Sequence, residues 1–399
     1  MKKLQTAGLS VLFHILSIGG LAAAEPTPAT AWAFEDTDEH PGLSDPLVSG
    51  ELVVVGSDSG VLHAFNSASG QEVWQYQHAA RIYERPECDE RHIYAFAQFD
   101  GVVALKRDDG KVAWNKPSSL GYGALAVCPE RRLLILGGFD GMIEAYDAVT
   151  FDQKWKVDVL SDAPQDPPGA DGKRARFEGK PARPTAAMCD DKLVFVSLFD
   201  QSRVVGLDLI TGAKRFDYQA GGWVFHAAFR DGDRVYIGSQ DKSLHCVARN
   251  SSKLLWKFET ISRIESSAAA KDGRVYFGSC DGGFYCVNRL TGTLLWKFDV
   301  ETDHERTTAI YSDPLILGDA VCFAAGEGQV YVLDLASGKL RWKYRPLRGA
   351  ELFSSPATDG TRIFITTRPR LNNMGQATSG KAALVSIDPY FKVIDPFAP

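Results

Sequence analysis

Apolar and polar positions trade places in short runs along this chain. In "IESSAAAKDGRVYFGSCDGGFYCVNRLTGTLLWKF", residues 264–298, three such runs are separated by Cys280-Asp281-Gly282-Gly283 and by Leu290-Thr291-Gly292-Thr293. A period of two is that of a β-strand whose faces see different surroundings. Asp-Gly between two such runs marks a tight hairpin. The small residues Ser266 to Ala270 suit a strand where space is short. The segment therefore reads as four consecutive strands, A to D, with A innermost. The same grammar recurs in "VVVGSDSGVLHAFNSASGQEVWQY", "LILGGFDGMIEAYDAVTFDQKWKV", "VYIGSQDKSLHCVARNSSKLLWKF" and "VCFAAGEGQVYVLDLASGKLRWKY".

The D position is punctuated by tryptophan: Trp74, Trp114 and Trp155, then Trp256, Trp296 and Trp342, with Phe216 filling the slot 40 residues before Trp256. A repeat of this length with four strands is a propeller blade, not a helical solenoid. These aromatics count seven blades. An eighth A–B–C set follows in "FSSPATDGTRIFITT" and "KAALVSID", without a D strand. The missing strand is at the other end, where "ATAWAFEDTD", residues 29–38, parallels "LLWKFDVETD". The pattern predicts an all-β fold, an eight-bladed propeller of four-stranded blades. Its last blade is closed by the N-terminal strand carrying Trp32, which removes an open sheet edge. The tryptophans are then structural. Asp58, Asp100, Asp140, Asp200, Asp241 and Asp281, in the B–C turns, are turn formers.

Composition adds detail. With 45% hydrophobic and 24% charged residues the chain is an ordinary globular protein, and its 37 glycines suit a turn-rich one. A net charge of −6 argues against a nucleic-acid partner. Lys2 and Lys3, an apolar stretch from Leu9 to Leu21, and Ala22-Ala23-Ala24 form a signal-peptide pattern over residues 1–24. That leaves a single domain over 25–399, periplasmic or secreted after cleavage. The stretch is too short for a membrane span, which needs about 20 apolar residues. No cysteine near the cleavage site offers a lipid anchor. The seven cysteines, 88, 128, 189, 246, 280, 286 and 322, include no CxxC or haem motif, so no zinc or c-type haem is expected. Cys88, Cys128 and Cys189 share one repeat slot, as do Cys246 and Cys286. Equivalent slots of neighbouring blades are expected to lie beyond disulfide reach, which makes these residues buried filler.

The unit "GRVYFGSCDGGFYCVNRLTGTLLWKF" resembles the repeat of pyrroloquinoline-quinone-type β-propellers, and the likeness runs through nearly all of the chain beyond residue 24. The resemblance implies one of two activities. Quinoprotein alcohol and sugar dehydrogenases hold the quinone and a calcium ion above the central axis. Non-catalytic members are similar to the outer-membrane assembly propeller, a periplasmic scaffold that binds a partner through its loops. This sequence lacks the adjacent Cys-Cys pair of many of those dehydrogenases, is shorter than they are, and shows no calcium-ligand motif. No catalytic, cofactor or metal residue is therefore carried over. The reading is a non-catalytic, monomeric scaffold without cofactor, and the alternative is a quinone-dependent dehydrogenase or its cofactor-binding subunit.

Three connections depart from the short norm: 161–181, 301–309 and 368–380. D–A links and B–C turns share one face of a propeller, so all three fall on that loop face. The starts of the A strands on the same face place Glu84, Arg85, Tyr122, Arg183, His226, Glu265, Tyr311, Asp313 and Glu351 around the channel mouth. Lys173, Arg174 and Arg176 make the first insertion a local basic cluster. This mixed ring is the expected surface for a protein partner or a small polar ligand.

Overall fold

The computed structural model describes residues 28–37, 41–118, 122–160, 184–301, 308–371 and 377–389. It contains eight four-stranded antiparallel sheets. In blade one the strands A to D are Leu47–Ser49, Leu52–Gly56, Val61–Asn66 and Glu72–Gln77. Blades two to seven repeat that order over 87–117, 122–158, 184–219, 229–259, 268–299 and 315–344. Blade eight is built from Ala357–Thr358, Ile363–Thr367 and Ala383–Asp388, and its outer strand is Ala29–Glu35. Trp32 pairs with Ser386 and Glu35 with Ala383, in antiparallel register. The ring is closed as the sequence implies. Among the described residues no helix is long and apolar enough to cross a membrane.

The tryptophan repeat has a direct structural cause. The strand-C residue opposite most D-strand aromatics is small: Ala64 faces Trp74, Gly206 faces Phe216, and Cys246 and Cys286 face Trp256 and Trp296, while Val332 faces Trp342. The indole then reaches the C–D turn of the next blade. Trp74 Nε1 donates to the Arg107 carbonyl at 2.8 Å, Trp155 to Leu209 at 2.9 Å and Trp256 to Arg289 at 3.0 Å. Each of those turns brings a glycine at positive φ against the ring, as Gly292 does beneath Trp256 (φ 70°). Any Cβ there would sit 2.7 Å from the indole. Blade three breaks the rule with Phe151, also at positive φ, which stacks on Trp114 at 5.0 Å. Clusters such as Ile135, Ile143 and Trp155 with Val194, Val196 and Val205 place the core between neighbouring blades.

One expectation is corrected. Cys128 and Cys189 form a disulfide between the A strands of blades three and four, with Cα atoms 5.5 Å apart. Blade spacing shrinks toward the axis, so neighbouring innermost strands come within bonding distance. Cys246 and Cys286, farther out on strand C, are free and fully buried. There the filler role holds.

Candidate functional site

Sheet register assigns Ser44, Glu84, His226, Ser266, Ser312 and Ser354 to one equivalent position at the start of strand A. At this position the serine hydroxyls stitch strand A to strand B. Ser312 Oγ donates to the Ala324 carbonyl at 3.0 Å and accepts from its N–H at 2.8 Å. Ser266 with Gly278 and Ser354 with Thr366 do the same. Glu84 and His226 carry ionisable side chains in place of this structural serine, and each senses the other's charge at the channel mouth. Blades three and four have Gly123 and Thr185 at this position, so Glu84 and His226 are its two ionisable occupants, which marks the place as a candidate site.

His226 Nδ1 lies 3.1 Å from Asp313 Oδ1. Asp313 accepts the Ser267 N–H at 2.6 Å and gives its own N–H to Ser355 Oγ at 3.0 Å. Ser355 in turn donates its N–H to Asp45 Oδ2 at 3.0 Å. A belt of polar contacts thus joins blades six, seven, eight and one around the axis. Burial opposes charging of His226, but the adjacent Asp313 carboxylate outweighs it, helped by Asp45 and Glu84, and the imidazole is pushed up to about 9. Asp313 is held low by His226, the Ser267 N–H and Arg85, against its burial. Burial and the Asp45 charge push Glu84 up to about 7.

The sign of the resulting pH dependence follows. Both raised groups bind protons more tightly folded than unfolded. Stability from His226 is present below its ordinary 6.5 and lost as pH rises through 9. That from Glu84 is present below 4.5 and lost through 7. The melting temperature should therefore fall steadily from pH 5 to pH 9, and H226Q combined with E84Q should flatten the slope. A wild-type profile flat across that interval would refute the pairing.

A second cluster lines the mouth on blades six to eight. Arg263 Nε is 2.8 Å from Glu265, which also accepts from Gln240 Nε2 at 2.5 Å. Tyr311 and Phe353 rings are 5.0 Å apart, and the Arg368 guanidinium lies 3.3 Å above Phe353. Arg368 is also 3.7 Å from Glu351. Glu84, Arg85, His226 and Asp313 thus come together at the axis, with Glu265, Tyr311 and Glu351 beside them. Tyr122 opens strand A of blade three, paired with Gly138. Lys173, Arg174, Arg176 and Arg183 lie outside the described residues. Asp45, Arg263, Phe353 and Arg368 were not singled out from sequence. Asp45 shares the Ser-Asp-Pro of Ser312-Asp313-Pro314, a signal that could have found it.

The arrangement is suited to binding polar groups, since its charges are mutually engaged. Burial, the first cause, and Glu265 push the neighbouring Cys280 thiol up to about 11, which makes it a poor nucleophile. Among the described residues no three His, Cys, Asp or Glu side chains are arranged to hold a metal ion.

A family model described as "Outer membrane protein assembly factor BamB" matches residues 19–138 and 140–381. The chain is similar to quinoprotein ethanol dehydrogenase of Pseudomonas putida, 31% identical over 186 residues, which are 40% of this chain and 28% of that protein. The chain thus aligns with less than a third of that relative's length. Among solved structures, BamB from Moraxella catarrhalis superposes with a TM-score of 0.65 at 16% identity, over 92% of this chain and 98% of that one. Quinohemoprotein alcohol dehydrogenase from Comamonas testosteroni gives 0.70 at 13% identity, over 94% and 78%. These structural likenesses establish the fold alone.

Proposed function

The chain belongs to the family of the outer membrane protein assembly factor BamB, and from that premise we propose that it is a non-catalytic scaffold which binds a protein partner through its loop face. We place it in the periplasm or outside the cell, in envelope assembly. The observation that carries this reading is where the large exposed apolar side chains of the loop face sit. Tyr83, Phe99, Trp223 and Ile261 are all exposed there, in D–A links or B–C turns beside the polar mouth. Trp223 rests 4.6 Å from Phe199, which also contacts Phe225 at 4.4 Å, and so presents a rigid aromatic platform. Aromatic anchors ringed by polar groups are the composition of protein interfaces. Lys173, Arg174 and Arg176 in the neighbouring insertion would speed encounter with an acidic partner.

Two variants test this. One replaces residues 161–176 with a short turn and adds W223S. The other changes Ser69, Thr211 and Ser337, on the opposite face, to lysine. Capture of one defined partner from detergent-solubilised envelope extract should fail for the first and survive in the second. The reverse pattern would refute the reading.

The quinoprotein relative favours a second reading, a quinone-dependent dehydrogenase or its cofactor-binding subunit. Titration of the purified protein with pyrroloquinoline quinone and calcium separates the two. We expect no stoichiometric absorbance change and no dye reduction with ethanol. Stoichiometric binding with dye reduction would replace the scaffold reading.

A further inference from the structure

The face opposite the loops carries its own asymmetry. Its outer rim is made by the C–D turns and the first residues of the D strands. At the first two D-strand positions, blades one to four have Glu72-Val73, Val112-Ala113, Gln153-Lys154 and Lys214-Arg215. Blades five and six have Leu254-Leu255 and Leu294-Leu295, and blade seven has Leu340-Arg341. The repeat is its own control here. Blades three and four keep the fold with polar residues at both positions, so leucine is not required there for packing; blades one and two carry one large exposed apolar residue each, Val73 and Val112, and only blades five and six carry a pair. All five are 42–49% exposed, and Leu290, in the C–D turn of blade six, is 61% exposed.

The charge around these leucines is opposite in sign to that of the whole chain. The turns of blades four to seven on this face are 190–192, 208–215, 230–234, 249–253, 271–274, 289–293, 318–320 and 334–341. They hold twelve Lys and Arg against eight Asp, in a chain of net charge −6. Lys253 and Lys339 stand directly before Leu254 and Leu340 and make no ion pair among the described residues.

We propose that the rim of blades five to seven rests on an anionic lipid surface, with the leucines entering the headgroup boundary and the lysines meeting lipid phosphates. Interfacial binding needs this combination of buried apolar area and basic charge. A second copy meeting this rim about a two-fold axis would bring net positive charge against itself. In the lipid-bound orientation the channel mouth points away from the surface. The proposal is independent of what the loop face binds.

Vesicle co-sedimentation of the full chain provides the test. The protein should bind phosphatidylglycerol-containing vesicles at low salt, bind pure phosphatidylcholine at least about tenfold more weakly, and come off at high salt. K253Q combined with K339Q should weaken binding about 25-fold, from about fivefold for each charge removed. Serine at positions 254, 255, 294 and 295 should weaken it at least as much. If the serine variant melts early, the lysine pair, which touches no packing, carries the test. W223S, on the loop face, should bind vesicles as the parent does, so a failure of the scaffold reading is distinguishable from a failure here. Absence of phosphatidylglycerol binding, or equal binding to phosphatidylcholine, overturns the proposal. A concentration-dependent dimer that the serine variant abolishes, without vesicle binding, also overturns it and assigns the rim to a second copy.

Discussion

A chain lacking residues 25–39 should melt about 10 °C or more below the full-length protein and aggregate as it unfolds. The strand Ala29–Glu35 supplies the whole outer edge of blade eight. Trp32 is its anchor. The indole Nε1 donates to the Ser67 carbonyl of blade one at 3.0 Å, and the ring lies over Gly70 and about 6 Å from both Phe65 and Phe364. Phe34 adds a contact with Phe65 at 4.8 Å. On the other side, the Tyr344 hydroxyl of blade seven accepts the Thr30 N–H at 3.0 Å. Truncating one buried aromatic costs about 3–5 kcal/mol; Trp32 and Phe34 are half-buried, and the deletion removes both together with a strand ladder. At a few degrees per kcal/mol for a mid-sized domain, and less for a larger one, the shift reaches about 10 °C. Ala383–Asp388 would then become an unpaired apolar edge, which is an aggregation hazard. A synthetic peptide of residues 28–37 should restore part of the loss. Calorimetry decides the matter, and an unchanged melting curve would remove the closure.

The second large effect separates backbone strain from ring contact. Gly292 and Gly273 have nearly equal positive φ, 70° and 74°. A Cβ on Gly273 meets nothing within 4 Å, whereas one on Gly292 lands 2.7 Å from the Trp256 ring. G273A should cost only the strain of a left-handed alanine, about 1 kcal/mol. G292A adds displacement of the indole from its turn and should cost about 3 kcal/mol. W256A should cost about the same. Because both variants destroy one contact, combining W256A with G292A should cost well below the sum. Denaturant unfolding measures all four. Equal costs for G273A and G292A would show that the glycine serves the turn alone.

Period-two runs, Asp-Gly hairpins and the spacing of Trp74 through Trp342 carry blade number, strand order and ring closure, because each blade repeats one local rule. The same alignment of blades placed Glu84 and His226 at the channel mouth, while their standing where other blades carry a serine came from the sheet register. Contacts between blades near the axis were less legible. The Cys128–Cys189 bond depends on how far the innermost strands converge, a radius that no spacing encodes. Arg368 over Phe353 joins the B–C turn of blade eight to the start of its own A strand, and the pair forms only once both segments face the channel. Asp45 was passed over because its role is set by Ser355, 310 residues away in sequence.

The Cys128–Cys189 bond, with its sequence separation of 61, also determines what becomes of the molecule when its chain is cut. Any single peptide-bond break between the two cysteines leaves both pieces tied through sulfur, so the nicked protein keeps its size on a non-reducing gel and parts only on reduction. A break elsewhere in the ring has no such tether and depends on blade packing to keep its halves together. The residue 161–181 insertion lies inside the tethered stretch, so this loop can be opened without the protein losing either end of itself.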